Sequence, residues 1–209
     1  MYLSRKDIEA LPRIRRLNII NSITGIKPAN LIGTKSANGR SNVAIFSSVV
    51  HLGSDPALVG FVLRPQHERK TDTYRNIKST GVYTINHVAS GYVKNAHFTS
   101  AKFSEDISEF DRCGLHEESL FDFHAPFLKE SKIKMGLQLQ QEIPITINRT
   151  ILMVGQILHL QCPDHAVDEA GNLDLESADT AGISGVNTYY SLNKANQFPY
   201  AHVKDVPEF

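Results

Sequence analysis

The chain has 209 residues, 22 basic side chains against 22 acidic ones, 41% hydrophobic residues and 21% charged residues. This describes a globular chain long enough to bury a core without disulfide or metal staples. The balanced charge provides no basic field for nucleic acid or an anionic membrane.

In chain order, SRKDIEALP reads as a short helix with Ser4 as N-cap, stopped by Pro12. RLNIINSITG alternates apolar and polar positions and predicts a strand ending at Gly25. ANLIGTKSANGRSNVAIFSSVVHLG predicts a hairpin turning at Gly39. ALVGFVLRP is a nearly continuous apolar run, as a central strand requires. RKTDTYRNIKSTG predicts a helix capped by Thr71 or Asp72 and closed by Gly81. VYTINHV is a strand, and residues 91–115 are helical with breaks, with Ser108 opening a turn. KIKMGLQLQQEIPI and TILMVGQILHLQCP are strands, the first bent at a glycine and the second bulged at Gly155. After Pro163 the composition turns polar, and residues 163–209 are expected to form a tail packed on a single domain whose core spans about 18–162. About seven strands and two or three helices predict a mainly β closed barrel with peripheral helices, not a doubly wound sheet.

Cys113 and Cys162 stand far apart without a CxxC partner, which points away from a disulfide framework or a zinc site. The nine histidines show no metal-ligand spacing, and GxGxxG, GK[ST], HExxH and GxSxG are missing. The first sixteen residues, MYLSRKDIEALPRIRR, lack the apolar stretch of a secretory signal, and no run of about 18 apolar residues exists to span a membrane. A cytoplasmic location is expected.

Two groups of polar residues remain to be explained. Asn42, Ser47 and Ser48 interrupt an apolar strand with small donors that allow close backbone approach. A flat heteroaromatic ring with carbonyl and imine edges, such as an isoalloxazine, needs such a surface. Arg64, Lys70, Thr71 and Thr73 gather at a helix start, where exposed amides, cations and hydroxyls suit a phosphate.

Taken in order, four blocks of this chain resemble the flavin reductase-like family of the FMN-binding split barrel. They are SNVAIFSSVVHLGSDPALVGF, TDTYRNIKSTGVYTINHV, AHFTSAKFSEDISEFDRCGL and NRTILMVGQILHL. The resemblance implies a split β-barrel of Greek-key topology, a homodimer, and FMN near the subunit interface. It implies that Asn42, Ala44, Ser47 and Ser48 line the ring, that Ser54 lies near the ribityl chain, and that Arg64, Lys70, Thr71 and Thr73 hold the phosphate. His97 and Thr99, with Tyr200 or His202 of the tail, would close over the ring. A late-strand histidine places the nicotinamide in some relatives; the corresponding candidate is His159. The chain departs from the family at Ile45, where proline is common, and at Thr71, which stands where lysine is common. The implied activity is hydride transfer from NADH or NADPH to bound FMN and onward to a small-molecule or flavin acceptor. The alternative is an FMN-binding electron carrier or sensor without that reductase activity.

Overall fold

In the computed structural model, described over residues 1–68, 70–104 and 107–208, twelve strands and five α-helices follow one another. The helices are α1 (Arg5–Ala10), α2 (Arg13–Ser22), α3 (Asp72–Thr80), α4 (Val93–Phe98) and α5 (Glu109–Cys113). The strands are β1 (Lys27–Pro28), β2 (Asn30–Lys35), β3 (Ser41–Phe46), β4 (Val49–Ser54), β5 (Ala57–Leu63) and β6 (Val82–His87), then β7 (Glu117–Glu118), β8 (Phe127–Leu128), β9 (Lys134–Ile145), β10 (Thr150–Gln161), β11 (Ala181–Ser184) and β12 (Thr188–Ser191). Arg69, at the start of the predicted helix RKTDTYRNIKSTG, and Glu105 and Asp106, within the broken helical stretch, lie outside the described residues.

Seven strands form one antiparallel sheet in the order β3-β2-β6-β9-β10-β5-β4. Its two edge strands, β3 and β4, are consecutive in the chain and joined only by Ser47 and Ser48. The Ser48 hydroxyl fixes this bend, donating to the Val62 carbonyl at 3.0 Å and accepting from the Val62 amide at 3.2 Å. Phe46 then meets Phe61 edge to face at 5.2 Å. The sheet curls on itself at this seam, making a split barrel.

The period of two decides what each face buries. Ile32 of β2 points inward to Phe61, Tyr83, Ile85, Leu137 and Met153, and Ile77 of α3 packs into the same cluster. Its neighbour Leu31 points outward to Val43, Phe110 of α5 and Ala96 of α4. Gly155 permits the inner packing, because a Cβ there would lie 2.1 Å from the Tyr83 hydroxyl. The predicted irregularity at Gly155 is present as a register shift between Val154 and Gly155.

RLNIINSITG is the one segment whose predicted type is wrong. It is the body of α2 and carries no buried residue. Its apolar side chains also satisfy a helical spacing through Ile14, Leu17 and Ile20, and no strand lies beside it to accept a ladder. The segment after Pro163 contributes more than cover. β11 pairs with β1 and β12, and its Ala181 and Ile183 join the outer core. From Asn193 to Glu208 every residue is exposed.

At the end of β6, burial holds His87 down to about 4. The fold therefore opposes its protonation, whereas the unfolded chain binds that proton near pH 6.5. The stabilising contribution is complete above about pH 6.5 and falls as pH drops toward 4, by up to about 3 kcal/mol. Urea melts between pH 7.5 and 4 should show that loss, and His87→Gln should flatten the slope. An unchanged slope in the variant would contradict the assignment.

Candidate functional site

The β3 edge is where the first polar group is assembled. β3 pairs with β2 on one side and has no strand partner on the other among the described residues, so backbone donors and acceptors remain available along it. Asn42, Ala44 and Phe46 share one face by strand alternation. Ser47 follows, half-buried at the seam. Asn42 to Ser47 spans about 16 Å of extended chain.

The second group comes from the loop between β5 and α3. Thr71 is the N-cap of α3, accepting from the Tyr74 amide at 3.4 Å. Gln66 ties this end back toward Arg64: its Oε1 accepts from the Thr71 amide at 3.0 Å and from the Thr71 hydroxyl at 3.1 Å. Its Nε2 donates to the Arg64 carbonyl at 2.8 Å. Arg64 is exposed, and its guanidinium has no ion pair among the described residues. Lys70 is also exposed and rests its ammonium 5.2 Å from the Tyr74 ring centre, with no carboxylate partner among them either. Two cations without an ion-pair partner among the described residues therefore flank a helix N-terminus, and cations beside first-turn amides are a donor set that suits a phosphate.

Thr73 is buried and accepts from Asn42 Nδ2 at 3.3 Å, which fastens α3 to β3. Thr34 accepts from the same Nδ2 at 3.3 Å and from Asn76 Nδ2 at 3.1 Å. The side chains of Asn42 and Thr73 thus hold the frame of the site, and Ser48 holds its seam. Thr34, Gln66 and Asn76 were not singled out in the sequence; nothing local distinguishes them from ordinary polar residues of a strand, a loop and a helix.

Several predicted residues lie elsewhere. Ser54 is at the far tip of β4, about 20 Å of extended chain from Ser48. His97 sits on the outer face beneath β12, with Nδ1 3.2 Å from the Tyr189 hydroxyl. Burial pushes that phenol up to about 12. Thr99 is buried, and its hydroxyl donates to the Ala96 carbonyl at 2.7 Å, closing α4. Tyr200 and His202 form an edge-to-face pair at 5.3 Å on the exposed tail, joined to no other part of the site. His159 lies flat against Phe121 at 4.9 Å, with Phe123 at its edge. It stands beyond the end of β10 that pairs with β5, so this chain does not bring it to Arg64. Among the described residues, no group of three or more His, Cys, Asp or Glu side chains forms a metal site. No helix is long and apolar enough to cross a membrane.

The edge strand and the cationic helix start suit a flavin. The free backbone edge fits the polar rim of the ring, and the Arg64–Lys70–Thr71 cluster fits a phosphate. Residues 26–179 match the family described as flavin reductase like domain. A split-barrel protein of Shewanella frigidimarina, provisionally named a flavin reductase, is 44% identical, with 96% of this chain and 100% of that one covered and a TM-score of 0.92. Component B of nitrilotriacetate monooxygenase from Bacillus cereus is 17% identical and shares the fold, with a TM-score of 0.82 over 95% of this chain and 98% of that one. Flavoredoxin of Desulfovibrio vulgaris (Miyazaki F) is 22% identical and also shares the fold, with a TM-score of 0.70 over 86% and 92%. The chain belongs to the flavin reductase-like domain family, whose chemistry is flavin-related redox.

Proposed function

We propose that this protein is an FMN-dependent oxidoreductase of the flavin reductase type, working as a homodimer with NADH or NADPH as hydride donor. The observation that carries the reading is the pair of unpaired cations, Arg64 and Lys70, beside the Thr71-capped start of α3 and the free edge of β3. When bound, FMN supplies the ring that accepts a hydride and passes electrons on.

This chain's part is positioning. Arg64, Lys70 and the amides of the first turn of α3 hold the phosphate. The backbone of β3 from Ala44 to Ser47 supplies hydrogen bonds to the polar rim of the ring. Thr73, Asn42 and Ser48 keep those two surfaces in register through the bonds described above. Hydride transfer between two stacked rings depends on approach and alignment more than on a general acid or base. A site without a catalytic triad is consistent with that requirement.

The dimer is supported by apolar surface that the single chain leaves open. Val50 and Leu52 are exposed on the edge strand β4, as are Leu158 and Leu160 on β10. An exposed apolar edge is a site for pairing with another chain. Sedimentation velocity should give twice the 23.3 kDa chain mass, and Val50→Asp should return the monomer. A monomeric native protein would contradict this part of the reading.

Anaerobic stopped flow of the FMN-loaded protein tests the activity. Bleaching by NADH or NADPH much faster than that of free FMN is expected. Reduction by light but by neither nucleotide would overturn the reductase reading and leave an electron carrier.

A further inference from the structure

A groove of about 360 Å³ runs between the outer face of α3, the β2–β3 turn and the first residue of α5. All the described side chains around it are polar. Asp72, Arg75 and Asn76 enter it from one face of α3 at helical spacing. Arg40 enters from the turn, Glu109 from α5 and Asn42 from β3.

The floor of the groove offers hydrogen-bond acceptors. Asn42 and Asn76 are each only 7% exposed. Their Nδ2 atoms donate to Thr34 and Thr73, whereas neither Oδ1 accepts from a described residue. Both residues line the groove, so these oxygens are open to a donor-bearing occupant. The rim is mixed. Asp72 is paired with Arg75, whereas Arg40, exposed at the turn, has no ion-pair partner among the described residues. Burial, then the like charge of Asp72, hold the Glu109 carboxyl above its usual range, against the nearby Arg40. Among the described residues no aromatic or large apolar side chain lines the groove, so it offers no stacking surface to a flat ring. The acceptors of its floor and Arg40 on its rim suit a hydroxyl-rich group carrying a negative charge.

We propose that this groove binds a ribose phosphate. Its hydroxyls donate to the Asn42 and Asn76 Oδ1 atoms and to the rim carboxylates, and its phosphate meets the Arg40 guanidinium. The source of that group rests on the flavin reading: it is the adenosine half either of FAD or of the nicotinamide donor. The groove begins at Asp72, next to the Thr71 cap assigned to the flavin phosphate, so either dinucleotide reaches it from the site already described.

The first test needs no flavin. Adenosine 5′-monophosphate is titrated calorimetrically into the purified full chain and into Arg40→Glu. Saturable binding to the native chain, at least tenfold weaker in the variant, is expected. FMN affinity should stay within twofold, and equal melting temperatures should show that the variant is folded. In the second arm, a tenfold fall in the FAD-over-FMN affinity ratio of the variant assigns the ribose phosphate to FAD. A tenfold rise in KM for NADPH or NADH, with kcat unchanged, assigns it to the donor. No binding of the monophosphate, or equal binding by the variant, overturns the proposal. Loss of FMN binding together with the monophosphate also overturns it, because the groove would then be part of the FMN site. A chain that binds the monophosphate through Arg40 but binds no flavin overturns the flavin reading and leaves the groove assignment standing.

Discussion

Gly155→Ala should destabilise the protein by about 3 kcal/mol, the upper part of the usual overpacking range. The new methyl carbon would stand 2.1 Å from the Tyr83 hydroxyl and 2.8 Å from its Cζ. Tyr83 has nowhere to go, since its side chain is fully buried and its ring is set against Phe61 at 5.4 Å. For a chain of this size the melting temperature should fall by roughly 6–12 °C. The same contact predicts the remedy. The Tyr83 hydroxyl is buried without a hydrogen-bond partner among the described residues, so Tyr83→Phe alone should be neutral or slightly stabilising. In the double variant more than half of the loss should return, giving a coupling well above the ~0.5 kcal/mol scatter of independent sites. Strictly additive effects would show that this contact does not limit the barrel packing.

Reversing the charge of the two free cations, Arg64→Glu with Lys70→Glu, should weaken FMN binding by at least about 100-fold. Each charge-assisted bond to a phosphate is worth about 1.5–3 kcal/mol, and 1.4 kcal/mol is a factor of ten. Both side chains are exposed and neither holds an ion pair among the described residues. Stability should therefore change little, with the melting temperature within about 2 °C of the native value. A folded variant that binds FMN as tightly as the native protein would remove the phosphate from this cluster.

The readable parts of the sequence were those where one local rule sufficed. Ser4, Thr71 and Ser108 were legible as caps because a side-chain oxygen before a helical run has few other uses. Gly81 sits at φ 75° after α3, a conformation that selects glycine. The β2–β3 hairpin and β6 followed from apolar alternation and turn residues, and β5 from its nearly continuous apolar run. α2 was misread because its apolar residues satisfy both periods and none of them is fully buried to decide between them. The contribution of β11 to the core was hidden because its apolar run is only four residues long and its partner β1 lies some 150 positions earlier.

The site divides in the same way. The grouping of Arg64, Lys70 and Thr71 around the α3 N-terminus was legible because a helix start with cations and hydroxyls is a local pattern. Ser48, Asn42 and Thr73 stood out as polar residues in unusual places, and their side chains bond to Val62, Thr34 and to one another. Those bonds span up to 31 positions in sequence, a separation that no local pattern reveals. Ser54 and His159 were misplaced relative to the cluster because sequence order does not show which end of a strand they share with it.

The measurement that bears most directly on the central claim is an FMN titration of the flavin-free protein, followed by its visible absorption and fluorescence. Saturable binding of one FMN per chain, with a perturbed flavin band that survives gel filtration, is the predicted result. A protein that stays colourless after FMN addition and filtration would contradict it, and the free edge of β3 and the Arg64–Lys70–Thr71 cluster would then serve some other ligand.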